Sequence, residues 1–167
     1  GPAGVPLSCK GRTIVEGMDD ITALGLDAME IQTVRTVQPK NFDQYWQAGI
    51  LSWDSGLEMN LHGPYYAELL GSRRERNRTL TKMEASMQAG KIVNARHLVY
   101  HVGPYGENDP GSETNEQVAN IFSGVVERVH QIWGDKSEED DYAAFPWVHK
   151  AKPSLVGIET SGRQDLW

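Results

Sequence analysis

Four short runs rich in β-branched, apolar or alternating residues recur along the chain: "DAMEIQTV" (27–34), "LEMNLH" (57–62), "HLVYHV" (97–102) and "SLVGIET" (154–160). The stretches around them carry apolar residues at helical spacing instead, and this order constrains the fold more than any other feature. A strand reaches a parallel neighbour only through a crossover of a dozen or more residues, which a helix supplies. "TIVEGMDDITALGL" (13–26) places Ile14, Met18, Ile21 and Leu24 near one helical face, with Gly25 as a stop, and "FDQYWQAGILSWDSG" (42–56) reads as a second helix ending at Gly56. Two more helices are predicted from Arg73 to about Ala95 and from about Thr114 to Trp133. In "LEMNLH", Leu57, Met59 and Leu61 fall on one face of the strand. The expectation is an α/β fold with a parallel sheet, open or closed into a barrel.

The 167 residues are 39% hydrophobic, enough for the core of one domain. No run of 18 apolar residues reads as a membrane span, and no basic segment followed by an apolar one reads as a secretory leader. Cys9 is the single cysteine, which excludes an internal disulfide and fits a reducing cytoplasm. It cannot make a thiolate metal site, so any metal must rely on histidine and carboxylate. A formal charge of −7 argues against coating DNA by bulk electrostatics. It leaves room for a DNA enzyme, because bound divalent metals add positive charge of their own.

Charge is unevenly placed. "RRERNR" (73–78) is basic, and only its first residues are expected to reach the catalytic face. The segment 134–153 holds an acidic run, Pro146, Trp147 and Pro153, and is expected to be a surface insertion. "GPAGVPLSCKG" (1–11) has loop-like residues and no strand before the first helix, and the chain stops eight residues after Glu159. Residues 1–167 are therefore expected to form a single partial domain, truncated at both ends.

Three strand candidates end in a potential ligand: His62, His101 and Glu159. Turn signals follow each one, respectively Gly63-Pro64, Gly103-Pro104 and Thr160-Ser161-Gly162. Each residue alone has a commoner structural explanation. Together they matter, because active sites of parallel α/β folds sit at the C-terminal strand ends and neighbouring strands lie about 4.8 Å apart. Two imidazoles and a carboxylate suit zinc, with a position left for water. His97 begins its strand at the opposite end, His130 lies in a helix and His149 in the acidic segment, so none is assigned as a ligand.

"HGPYYAELLGS" (62–72), "LVYHVGPYG" (98–106) and "GIETSGRQDLW" (157–167), in this order, resemble the endonuclease IV family of apurinic/apyrimidinic endonucleases, within the xylose isomerase-like barrel superfamily. "GPAGVPLSCKG" and "LGLDAMEIQTVR" (24–35) are similar to the family's first loop and second strand, especially in archaeal-type members. The resemblance implies an incomplete TIM (β/α)8-type barrel, about strands 2 to 5 with their helices. It implies a catalytic site of up to three zinc ions that hydrolyses the phosphodiester 5′ to an abasic nucleotide and leaves a 3′-hydroxyl. His62, His101 and Glu159 match the family's first histidine, second histidine and bridging glutamate. The family's later Asp, His and Glu ligands have no counterpart here, so this chain is expected to hold one zinc and not the full cluster. Tyr65 matches a tyrosine that enters the DNA minor groove, Tyr66 adjoins it as a wedge, and Arg35 matches an arginine that fills the gap left by a flipped nucleotide. The implied partner is abasic-site duplex DNA, with no membrane and no protein partner. The competing expectations are a sugar isomerase or epimerase of the same superfamily and a metal-binding barrel without catalysis.

Overall fold

The structure, a computed structural model, describes residues 1–37, 42–134 and 154–159. Helix α1 (Ile14–Ala23) precedes strand β1 (Ala28–Gln32), and α2 (Phe42–Ser55), β2 (Glu58–His62), α3 (Arg73–Ile92), β3 (His97–His101), α4 (Ser112–Gly134) and β4 (Leu155–Glu159) follow. The strands form one parallel sheet in the order β1-β2-β3-β4, so each helix between strands is a crossover. The α/β fold read from the alternation is therefore present.

Period two decides which side of the sheet meets the helices. Met29, Ile31, Met59, Leu61, Leu98 and Tyr100 are buried on one face, packed with Met18 and Ile21 of α1, Ala48 of α2, Met83 and Met87 of α3, and Val125 and Val129 of α4. Each fully buried aliphatic side chain stabilises this layer by about 1.5–3 kcal/mol. Tyr100 keeps its hydroxyl satisfied inside the core through Ser86 Oγ at 3.0 Å.

The opposite face is polar and tiered. Glu30, Asn60, His97 and Leu155 stand in register across the four strands, followed by Gln32, His62, Val99 and Gly157, and then by His101 and Glu159. His97 lies low on this face, bonded to Asn60 Oδ1 at 2.7 Å, and His130 is exposed on α4. Neither joins the upper tier, as their sequence positions indicated.

Helices α1 and α3 start on capping boxes that the sequence reading passed over. Thr13 Oγ1 accepts from Glu16 N at 3.2 Å while Thr13 N donates to Glu16, and Ser72 with Glu75 repeats the exchange. Helix α3 ends at Ile92, short of Ala95, because Asn94 takes a left-handed φ of 55°.

The opening segment differs from expectation. Residues 2–4 run beside β1 as a parallel bridge, with Glu30 N donating to Pro2 O at 3.1 Å and Gly4 N donating to Glu30 O at 2.8 Å. Loop-like composition hid this pairing, since a single bridge needs only two backbone bonds and no side-chain pattern. Gly134 closes α4, while 135–153, most of the expected insertion, lies outside the described residues. Among the described residues no helix is long and apolar enough to cross a membrane.

Candidate metal centre and adjoining cationic cavity

His62 is the last residue of β2, and the backbone on both sides of it is tied down. Its carbonyl accepts from Thr33 N at 2.9 Å and Thr33 Oγ1 at 2.8 Å, and Gly63 N donates to Val99 O at 2.8 Å. Gly63 must be glycine for packing reasons, because a Cβ there would lie 2.2 Å from the buried Tyr100 ring. Gly103, two residues after His101, has φ +92°, and a Cβ would sit 2.0 Å from Ala67 O. The His-Gly-Pro and His-x-Gly elements thus let the loops after β2 and β3 close over each other.

The structure brings all three sequence-assigned ligands together. His62 Nε2 lies 2.7 Å from Glu159 Oε2, and His101 Nε2 lies 3.5 Å from the same oxygen. One ligand atom from each residue falls within 4.8 Å of the others. For comparison, a tetrahedral ion at about 2.0 Å from its ligands separates them by about 3.3 Å. The tier geometry explains the reach: His101 and Glu159 are register partners on adjacent strands, while His62, one tier lower and two strands from β4, extends across β3.

Electrostatics treats the two imidazoles differently. Burial opposes the charged form of His62, but its bond to Gly63 O and the bond and charge of Glu159, with the charge of Glu30, together raise its pKa above the usual histidine value. His62 Nδ1 is 3.0 Å from Gly63 O, so Nδ1 carries the hydrogen, and Nε2, facing Glu159, is the atom that can exchange its proton for a metal. For His101, burial lowers the pKa, helped by the nearby His62 charge and opposed by Glu159, so its lone pair is already free near neutrality. The bond from His62 is the main reason Glu159 stays below the ordinary glutamate range. The result is a carboxylate, one neutral imidazole and one imidazole whose proton is shared with that carboxylate.

These ligands border a cavity of about 730 Å³ that also takes in Glu30, Gln32, Thr33 and Tyr65. Tyr65 is the partition: its ring meets His101 edge to face, with centroids 4.8 Å apart, and meets Tyr66 at 5.3 Å. Beyond it lies a second cavity of about 590 Å³, lined among others by Arg35, Tyr65, Tyr66, Arg78, Lys82 and His101. The sequence-assigned Arg35, Tyr65 and Tyr66 are thus placed together, one aromatic ring away from the ligands.

Sequence reasoning missed Thr33, Glu30, Glu68 and Lys82. Glu30 was legible from strand alternation, which puts it on the face of Asn60 and His62. Lys82 was legible from its i, i+4 spacing with Arg78. The basic run also behaves differently from expectation. Arg73 and Arg74 at the start of α3 are exposed, Arg76 Nε donates to Leu69 O at 2.9 Å, and Arg78, at the end of the run, lines the cavity. Helical rotation, not distance from the helix start, decides which side chain faces inward.

No family model matches this sequence, and no curated protein matches it. Solved structures do. It resembles a D-tagatose 3-epimerase-like protein (18% identity, TM-score 0.62, covering 96% of this chain and 54% of that one). It also resembles the TTHB071 protein from Thermus thermophilus soaked with ZnCl2 (19%, TM-score 0.56, 87% and 61%). Endonuclease IV from the same organism is similar as well (17%, TM-score 0.53, 95% and 62%). At these identities the likeness establishes the fold alone, an α/β arrangement of parallel strands that matches part of a TIM barrel. The chain spans about 54–62% of their lengths.

Proposed function

We propose that the chain carries part of the active site of a zinc-dependent phosphodiester hydrolase of the endonuclease IV type, cutting DNA 5′ to an abasic nucleotide. The carrying observation is the convergence of His62, His101 and Glu159 at the C-terminal strand ends, with Tyr65 stacked on one of the ligands. The donor set suits zinc: two imidazole nitrogens and one carboxylate oxygen, with the tautomer of His62 set by Gly63 O. A bound zinc would acidify water and stabilise charge developing on a phosphate. His62, His101 and Glu159 would hold it. Tyr65 and Tyr66, exposed on the rim, would occupy stack vacated by an extruded abasic nucleotide, with Arg35 beside them. The deciding assay is cleavage of an abasic duplex by the full-length protein, with and without chelator. Chelator-sensitive incision 5′ to the lesion is expected, and failure to cut under zinc-replete conditions removes the reading.

One observation favours a second reading, a metal-dependent sugar isomerase or epimerase. The cavity at the ligands is polar, with Glu30, Gln32 and Glu159 on its wall, and its 730 Å³ lies in the range of small-molecule pockets. Turnover of free sugars without abasic-site cleavage would select it.

A further inference from the structure

The 590 Å³ cavity meets the candidate ligands only at His101 and is opposite to them in character. Three cations, Arg35, Arg78 and Lys82, line it against one carboxylate, Glu68. Glu68 Oε2 takes Arg78 Nη2 at 3.0 Å, which leaves a surplus of two positive charges in a chain whose formal charge is −7. Among the described residues neither the Arg35 nor the Lys82 side chain has an ion pair or hydrogen bond. Lys82 is nonetheless half-buried, on the α3 face that looks into the cavity. Holding an unpartnered ammonium out of water costs free energy that an anion would return. Tyr65, Tyr66 and Pro104 add apolar wall, so the space suits an anion attached to a ring or a carbon body.

We propose that this cavity is a phosphate subsite, in which Lys82 and Arg35 bind a phosphate of the substrate other than the one that would react at His62, His101 and Glu159. The proposal deepens the hydrolase reading, on which its choice of a nucleic-acid phosphate rests. Arg78, held by Glu68, orients the rim, and Tyr65 spaces the two sites. The substrate therefore carries at least two phosphate positions, one on each side of the Tyr65 ring.

The test titrates three probes, inorganic phosphate, a hexose 6-phosphate and an abasic duplex, against the parent, Lys82→Gln, Arg35→Gln, Lys82→Arg and, as a control, the exposed Lys10→Gln. Circular dichroism and zinc content are measured on every variant. Expected are duplex affinities about tenfold lower for Lys82→Gln and for Arg35→Gln, and a salt dependence reduced by about one counterion in each. Zinc content should be unchanged, Lys82→Arg should restore most of the affinity, and Lys10→Gln should behave as the parent. If the hexose phosphate binds in a Lys82-dependent way and the duplex does not bind, the subsite stands and the nuclease reading falls. Unchanged affinity and salt slope for all probes in both glutamine variants would overturn the subsite. So would a loss of zinc in step with a loss of phosphate, because the lysine would then support the metal centre instead of holding an anion.

Discussion

Two cavities share the walls Tyr65 and His101, yet one is lined by carboxylates and imidazoles and the other by guanidinium and ammonium groups. The first gathers Glu30, Glu159 and two imidazoles at strand ends, where the polar face of the sheet is tiered by register. The second gathers Arg35, Arg78 and Lys82 from a loop and a helix. Opposite charges this close normally pair and cancel. Here the edge-to-face stack of Tyr65 on His101 stands between them, so each set keeps charge for a ligand. On the proposed reading the sheet would supply the metal ligands, and the loops and α3 the recognition of substrate.

The most severe way to separate the two is to remove a ligand. His62→Ala should lower zinc affinity by more than about 100-fold, since removing even a hydrogen-bond partner of a ligand costs about 10–100-fold. Phosphate binding in the cationic cavity should persist, because no residue of that set bonds to His62. Zinc titration alongside phosphate titration of the same variant checks both halves. Loss of both together would show that the cavities are one site.

Gly103→Ala attacks the shared architecture instead. The substitution combines a left-handed backbone with a Cβ driven into Ala67 O, so a loss of about 2–4 kcal/mol is expected, read from chemical denaturation. Because Gly103 holds the loop after β3 against the loop that carries Tyr65, zinc and phosphate binding should weaken together in this variant. A variant of parental stability would mean that the two loops part readily.

Acidity sharpens the contrast further. In the metal-free protein the His62–Glu159 pair stabilises the fold through two shifted groups with opposite signs. Glu159, lowered from 4.5, contributes fully above that value and loses its contribution as pH falls through its folded pKa. His62, raised from 6.5, contributes fully below that value and loses its contribution as pH rises through its folded pKa. The pair's contribution is thus complete between 4.5 and 6.5. With chelator present, the Tm difference between parent and Glu159→Gln should be largest in that window and shrink on both sides. With zinc present the alkaline side should reverse, because the metal replaces the His62 proton and gains from its loss. A Tm difference that is flat with pH would remove the imidazolium–carboxylate pair from the account.

How far the sequence carried these conclusions depended on whether the signal was local. The four strands and their helices were legible because apolar spacing changes from two to near four along the chain, and because three of the four strands run into a turn signal. His62, His101 and Glu159 were legible for the same reason, since strand parity and strand end together place a side chain. The bond from Thr33 to the His62 carbonyl, the contact of Tyr65 with His101 and the bridge at residues 2–4 were not legible. They depend on register between strands and on which loop lies beside which, and neither is written in any single segment. Lys82 and Arg78 fall between these cases: their spacing put them on one side of a helix, while only the packed fold showed which cavity that side faces.

The smallest effect distinguishes the two neighbouring tyrosines, which the resemblance placed at a minor-groove position and at the wedge position beside it. Tyr65 stacks on His101 and is 40% exposed, whereas Tyr66 touches Tyr65 and is 60% exposed. Removing the Tyr65 ring takes away the surface packed against the His101 imidazole, so, if His101 holds zinc as proposed, Tyr65→Ala should weaken zinc binding by about tenfold, at the low end of what a supporting contact costs. Tyr66→Ala removes a side chain that has water on most of its surface and no ligand beside it. Its stability should stay within about 0.5 kcal/mol of the parent, and its zinc affinity should be unchanged. Binding of an abasic duplex should weaken in both variants, by about 1–3 kcal/mol where a stacking ring is lost. Measuring zinc and duplex affinity side by side gives each tyrosine a pair of values. Equal zinc affinities in the two alanine variants would show that the stack on His101 is contact without consequence, and the partition between the cavities would then have to come from the loop backbone alone.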